Sequence, residues 1–323
     1  MSQNMARTQR DGMFLVLASV TSYAMLPVFI KAIQDAGLNS LDIATWRFAL
    51  AAPLFWLMVR ALRMPAGNKP LPRWRLLGMG TLLAMAAVGT FWGFERIPAG
   101  TFVVLFYTYP AIVAILSALM GERLPAAGWG ALVLTTIGIV LTVPDFGQGI
   151  GNDNLVGVLL ALITALIVAI YFILSSRVLK GHIALGAASA WTTTGALLFL
   201  LILIPFRAAQ MPGDFSAHFT EIVFSMPLLA ARSPNGMELW LRLLGIATIS
   251  TVLGGFFLTI GIQKVGAPRA SIIGTVEPIL TLIFTRVFLS EEMQPVQLIG
   301  GAFIIASVLL LQLGSRIKVP ALE

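Results

Sequence analysis

A chain of 323 residues that is 58% hydrophobic and only 11% charged cannot hide its apolar surface in a soluble core, since soluble domains are about a quarter charged. With a mean hydropathy of +0.92, the solvent must be lipid. The net charge of +7 would point to nucleic acid in a soluble chain, but here it sits in short loops between apolar runs, which excludes that partner; with no cysteine, disulfides and thiol chemistry are excluded too.

Crossing a bilayer takes about 20 apolar residues. Ten segments meet that length: 12–33, 41–62, 75–95, 98–120, 126–143, 155–177, 184–206, 240–262, 267–289 and 296–315. The first follows Arg7 and Arg10 as a secretory signal would, but it is too long for a signal core and no small-x-small site follows, so it reads as a span. Segment 41–62 holds Arg47, a second buried-charge candidate, which is expected to reach the outer interface beside Asp42 in preference to binding a carboxylate. Trp74, Trp129 and Trp240 stand at span starts, as an interfacial belt requires, and Trp46 and Trp191 read as packing residues. Segments 126–143 and 296–315 have small residues such as Gly130, Gly138, Gly300, Gly301 and Ala302 and few polar ones, which reads as scaffold or dimer contact. The long connection 207–239 contains an apolar patch, 222–230, too short to span and expected at the interface.

With the N-terminus inside, 14 of the 21 Lys and Arg fall on the inner side, 6 on the outer and Arg47 within a span, which places both termini in the cytoplasm. The chain also repeats. Ala99 through Pro110 match Ala267 through Pro278 at an offset of 168, and Gly12, Ser19 and Trp46 match Gly157, Thr164 and Trp191 at 145. Two five-span halves, 1–151 and 152–323, follow. An odd span number inverts the second half, and inverted repeats place a substrate site near midplane between them.

Of the 14 carboxylates only Glu277 is central in a span. Charge there is expensive, so Glu277 must face the bundle interior. It shares a small-and-polar stripe with Ala270, Gly274, Thr281 and Thr285. A proton-exchanging or ammonium-binding group and a carboxyl tying down kinked backbone both fit it. Pro278 follows directly and Pro110 stands at the matched position; each deprives the carbonyl four residues earlier of a donor, marking a helix break. Tyr23, Tyr107, Tyr109 and Tyr171 all lie within spans, where a hydroxyl needs a partner or a wet cavity. With Trp92, Thr164, Thr251 and Thr275 on polar or small faces, they make the expected substrate wall: Tyr23, Trp92, Tyr107, Thr164, Tyr171, Thr251, Thr275 and Glu277. Aromatic walls suit flat or amphipathic solutes, cations included. No catalytic motif, metal cluster or phosphate-binding glycine loop occurs, so neither an enzyme, a cofactor nor ATP-driven pumping is expected.

Ten spans in two inverted halves, with the Pro110 and Pro278 helices followed by Gly121-Glu122-Arg123-Leu124 and Glu291-Glu292-Met293, resemble the EamA branch of the drug/metabolite transporter superfamily. Within it the chain looks most like the YddG-type aromatic amino acid exporters. The resemblance covers nearly the whole chain. It implies a multi-pass protein of the bacterial inner membrane, monomeric or weakly dimeric, that exports amino acids or similar amphipathic metabolites by alternating access. It also implies a cavity lined by spans one, three, four, six, eight and nine. A multidrug or organic-cation exporter and a passive channel are the alternatives. One departure matters: the family often has Glu-Pro in both halves, and the first copy here is Tyr109-Pro110.

Overall fold

The computed structural model describes residues 2–64, 69–120, 126–142, 152–179, 182–211, 214–265, 273–274 and 276–316. Every regular element in them is helical, because in lipid each backbone polar group must be satisfied within its own segment. The helices are α1 (Ser2–Ala24), α2 (Leu26–Gln34), α3 (Ser40–Ala61), α4 (Arg73–Phe94), α5 (Ala99–Phe106), α6 (Tyr109–Leu119), α7 (Ala126–Thr142), α8 (Asn152–Val178) and α9 (Leu185–Gln210). After them come α10 (Phe215–Val223), α11 (Ser225–Arg232), α12 (Gly236–Gly245), a π-helix (Ile246–Leu253), α13 (Gly254–Val265), α14 (Glu277–Leu289) and α15 (Pro295–Arg316). Among the described residues six stretches are long and apolar enough to cross a membrane: Arg10–Gln34, Ser40–Ala61, Arg73–Phe94, Asn154–Ser175, Leu185–Gln210 and Gly236–Leu258. Ala99–Val113, Trp129–Thr142 and Pro295–Leu310 are shorter apolar helices.

Several long apolar stretches are interrupted. The first is broken at Met25, where Pro27 opens α2. The fourth is broken at Tyr107 and Thr108, and α6 restarts at Tyr109. In the ninth, α14 begins at Glu277 with Pro278 in its first turn. The eighth stays helical but widens to π geometry over eight residues.

Glycines set the closest crossings. A Cβ on Gly80 of α4 would lie 2.4 Å from backbone atoms of Thr192 and Ala196 on α9, and one on Gly195 would lie 2.2 Å from the Leu77 carbonyl oxygen. Gly138 of α7 and Gly300 of α15 meet in the same way, each Cβ falling 2.8 Å from the other's carbonyl oxygen, and Thr135 donates to Ser307 across that pair at 2.8 Å. α7 and α15 therefore pack on each other. Gly93 leaves room for the Phe102 ring, which meets Phe94 edge-on at 5.2 Å inside a core shared by α2, α3, α4 and α5.

The 222–230 patch is helical and packed against the rest of the protein. It forms parts of α10 and α11, Met226 is fully buried in the main core, and Ile222 packs on Ile204 and Ala208. Ser225 accepts from the Trp46 indole at 3.2 Å, and Trp46 meets Trp240 edge-on at 5.6 Å. Trp191 packs edge-on against Trp56 at 5.2 Å. Trp74 and Trp129 are exposed.

One contact joins distant parts of the chain at a helix terminus. The Glu291 carboxylate, just beyond α14, accepts the Ala99 and Gly100 amides at the start of α5, at 2.9 and 3.1 Å. An anion there satisfies two orphan donors and complements the helix dipole. Glu291→Ala is expected to lower stability by about 1 kcal/mol, read as a lower thermal unfolding midpoint in detergent; an unchanged midpoint would show the cap to be inert.

Candidate functional site

The site begins with what proline does to α14. Pro278 has no N–H to offer the Gly274 carbonyl. The Tyr107 hydroxyl, from the break between α5 and α6, points at that carbonyl from 3.4 Å, a long and weak bond. The Glu277 carboxyl lies within hydrogen-bonding reach of the same hydroxyl. Two interrupted helices therefore meet through one phenol. Glu277 is half-buried.

Aromatic rings gather around this point. Tyr107 and Tyr109 lie 5.8 Å apart, Tyr109 stacks on Phe172 of α8 at 5.4 Å, and Phe106 closes the group at 5.4 Å from Tyr109. Tyr23 of α1 and Tyr109 are each in electrostatic reach of Glu277. Tyr171 of α8 is in such reach of Tyr23 and lies near Thr192 of α9, whose hydroxyl donates to the Ala188 carbonyl at 2.9 Å. Tyr23 gets its place from glycine: a Cβ on Gly254 would sit 3.2 Å from its ring, and one on Gly255 would sit 3.5 Å from its hydroxyl oxygen.

The π-helix makes the far wall. Ser19 of α1 donates to the Gly254 carbonyl at 2.7 Å, and Ser250 donates to the Ser22 carbonyl at 2.8 Å, so α1 and the widened turn are tied together. Thr251 donates to the Ile246 carbonyl five residues back and accepts from the Arg47 Nε, both at 2.9 Å. π-Turns inside α-helices concentrate at functional sites. This one carries no signal in its composition, IATISTVL, and was not expected.

Arg47 does not reach the interface beside Asp42. It is 8% exposed, and its guanidinium lies over Phe48 and Phe91 at 5.3 and 5.7 Å. Asp42 pairs instead with Arg207, from the end of α9, at 2.7 Å. Snorkelling fails because Asp42 is held by Arg207, 165 residues away, and Thr251 of the π-helix claims Arg47.

Of the expected wall, Tyr23, Tyr107, Tyr171, Thr251 and Glu277 come together, with Arg47 and Tyr109 added. Trp92 is exposed, on a stripe of α4 with Gly78 and Met85, and no ring contact joins it to the tyrosines among the described residues. Thr164 is buried where α8 crosses α4; its hydroxyl has no partner, and a Cβ on Gly89 would come within 2.5 Å of it. Thr275 lies outside the described residues, as does the side chain of Thr259. Among the described residues no group of His, Asp and Glu is arranged to hold a metal ion.

The EamA-like transporter family matches residues 10–143 and 155–313. The uncharacterized transporter YcbK of Bacillus subtilis (strain 168) is 26% identical over 94% of both chains. The threonine/homoserine exporter RhtA of Escherichia coli (strain K12) is 28% identical over 66% of this chain and 63% of its own. The pseudopaline exporter CntI of Pseudomonas aeruginosa (strain UCBPP-PA14) is 22% identical over 94% of this chain and 96% of its own. A solved crystal structure superposes with a TM-score of 0.61 at 16% identity, covering 96% of this chain and 98% of that one, which shows a shared fold. Two matched segments spanning most of its length, on an all-helical apolar scaffold, show that the chain belongs to the EamA-like transporter family.

Proposed function

We propose that the protein is a secondary exporter of amino acids, aromatic ones among them, and of similar amphipathic metabolites across a bacterial inner membrane. The observation that carries this reading is the meeting of three tyrosines, Tyr23, Tyr107 and Tyr109, on the Glu277 carboxyl at interrupted helices. Interrupted helices at midplane are where inverted-repeat carriers bind solutes, and aromatic faces hold both rings and ammonium groups. Threonine, homoserine and pseudopaline are named as the cargo of related exporters, which supports an amino-acid-like substrate. In this reading ten spans form two inverted halves, 1–151 and 152–323, both termini are cytoplasmic, and access alternates as the halves rock around the site.

Glu277 supplies the coupling. Tyr107 has one proton to donate. With Glu277 ionised, that proton serves the carboxylate; with Glu277 protonated, the acid donates to the phenol and the phenol turns to the Gly274 carbonyl that Pro278 leaves unpaired. Proton occupancy thereby changes the bond between the two interrupted helices, which biases one arrangement of the halves over the other.

An organic-cation exporter would use the same carboxyl and tyrosines. Proteoliposomes holding the purified protein, given phenylalanine, threonine, homoserine and a quaternary dication with and without a pH gradient, separate the two. Saturable, gradient-driven movement of an amino acid is the expected result. Movement of the dication alone establishes the rival, and unsaturable flux without counterflow establishes a passive channel.

A further inference from the structure

Arg47 is a buried guanidinium that no carboxylate among the described residues pairs with. Its Nε is used on Thr251, while its two terminal nitrogens meet no acceptor among the described residues. No carboxylate pairs with it among those residues, since Asp42 belongs to Arg207. An unpaired charge taken out of water is strongly unfavourable unless something else compensates it. The faces of Phe48 and Phe91 compensate in part, but aromatic faces leave the planar edge of the guanidinium unsatisfied. That edge is a fork of N–H groups matched to a carboxylate. Anchoring the π-helix needs a single donor, and Arg47 brings five.

The position of the fork gives its purpose. The guanidinium is held on the π-helix through Thr251, Ser250 of that helix is bonded to α1, and Tyr23 of α1 packs against Gly254 just beyond it, so the fork lies on the wall that carries one of the site tyrosines. A simple amine would leave that fork unanswered, whereas a molecule with a carboxylate fills it.

We propose that Arg47 binds the carboxylate of the transported amino acid; this rests on the amino acid function proposed above.

The test compares phenylalanine and threonine with their decarboxylated amines, phenethylamine and 1-aminopropan-2-ol, as competitors for counterflow in proteoliposomes. Wild type is expected to prefer each amino acid over its amine by about 10- to 100-fold, the range for one charge-assisted pair. Arg47→Met, close in length and apolar, is expected to erase that preference while amine competition persists, and Arg47→Lys to restore part of it. Equal competition by amine and amino acid in wild type overturns the role of Arg47 and leaves amino acid export standing. So does an intact preference in Arg47→Met. A wild-type protein that recognises neither amino acid overturns the export reading and this one with it. If Arg47→Met does not fold, the wild-type ratios together with Arg47→Lys decide the matter.

Discussion

Glu277→Gln is expected to abolish the response of transport to a pH gradient and to cut uphill export by about tenfold or more. The estimate takes one charge-assisted hydrogen bond as the amount at stake. Glutamine is close in shape to glutamate and its carbonyl still accepts from the Tyr107 hydroxyl, so the break between Gly274 and Glu277 keeps its packing. What it loses is the exchangeable proton. Downhill counterflow should therefore survive better than gradient-driven export, and that split is the informative measurement. Tyr107→Phe gives the complementary result. It keeps the ring contacts at 6.0 Å to Phe106 and 5.8 Å to Tyr109, leaves Glu277 titratable, and removes the hydroxyl that joins it to the Gly274 carbonyl. Substrate should still bind, with the proton gradient coupled less effectively to its movement. Full uphill export by Glu277→Gln with an unchanged pH response would remove the proton-site reading.

What the sequence made legible follows from the solvent. Lipid allows few polar interruptions, so a lone mid-span carboxyl and a proline beside it stand out without any tertiary knowledge. Glu277 was visible for that reason. Tyr23, Tyr107 and Tyr171 were visible with it, since a hydroxyl inside a span needs a partner, but which of them meet was not, because they stand on different helices and no spacing along one helix reports such contacts. Arg47 shows the opposite failure. Asp42 is a little over one turn away in sequence, a plausible partner by distance, yet Arg207 holds it through an ion pair across 165 residues. Thr164 matched Ser19 in the repeat and looked polar enough for a cavity, but the hydroxyl of one seals a helix crossing while that of the other pins α1 to Gly254. Pro27 was present to be read and marks the break before α2. The π-helix was beyond reading, since its apolar residues would suit an α-helix equally well.

Gly195→Ala is expected to destabilise the protein, whereas Gly78→Ala, on a helix that takes part in the same crossing, is expected to leave stability unchanged or raise it. Both replacements gain about 1 kcal/mol of helix propensity. They differ in what the new methyl meets. Beside Gly78 nothing lies within 4 Å, but beside Gly195 stand the Leu77 carbonyl oxygen at 2.2 Å, Cα at 2.7 Å and carbonyl carbon at 2.8 Å. Backbone atoms have no rotamer into which to retreat, so α4 and α9 must separate along their whole contact. Overpacking of that kind costs about 1 to 3 kcal/mol or more, which outweighs the propensity gain. Thermal unfolding in detergent should show the two variants moving in opposite directions or only Gly195→Ala moving; a stabilised Gly195→Ala would show that the helices are free to part. The crossing also bears on the site. Phe91, which lies by the Arg47 guanidinium, is on α4, and Thr192, which neighbours Tyr171, is on α9. Separating the two helices moves one wall of the tyrosine cluster against the other, so transport by Gly195→Ala should fall further than its loss of folded protein accounts for.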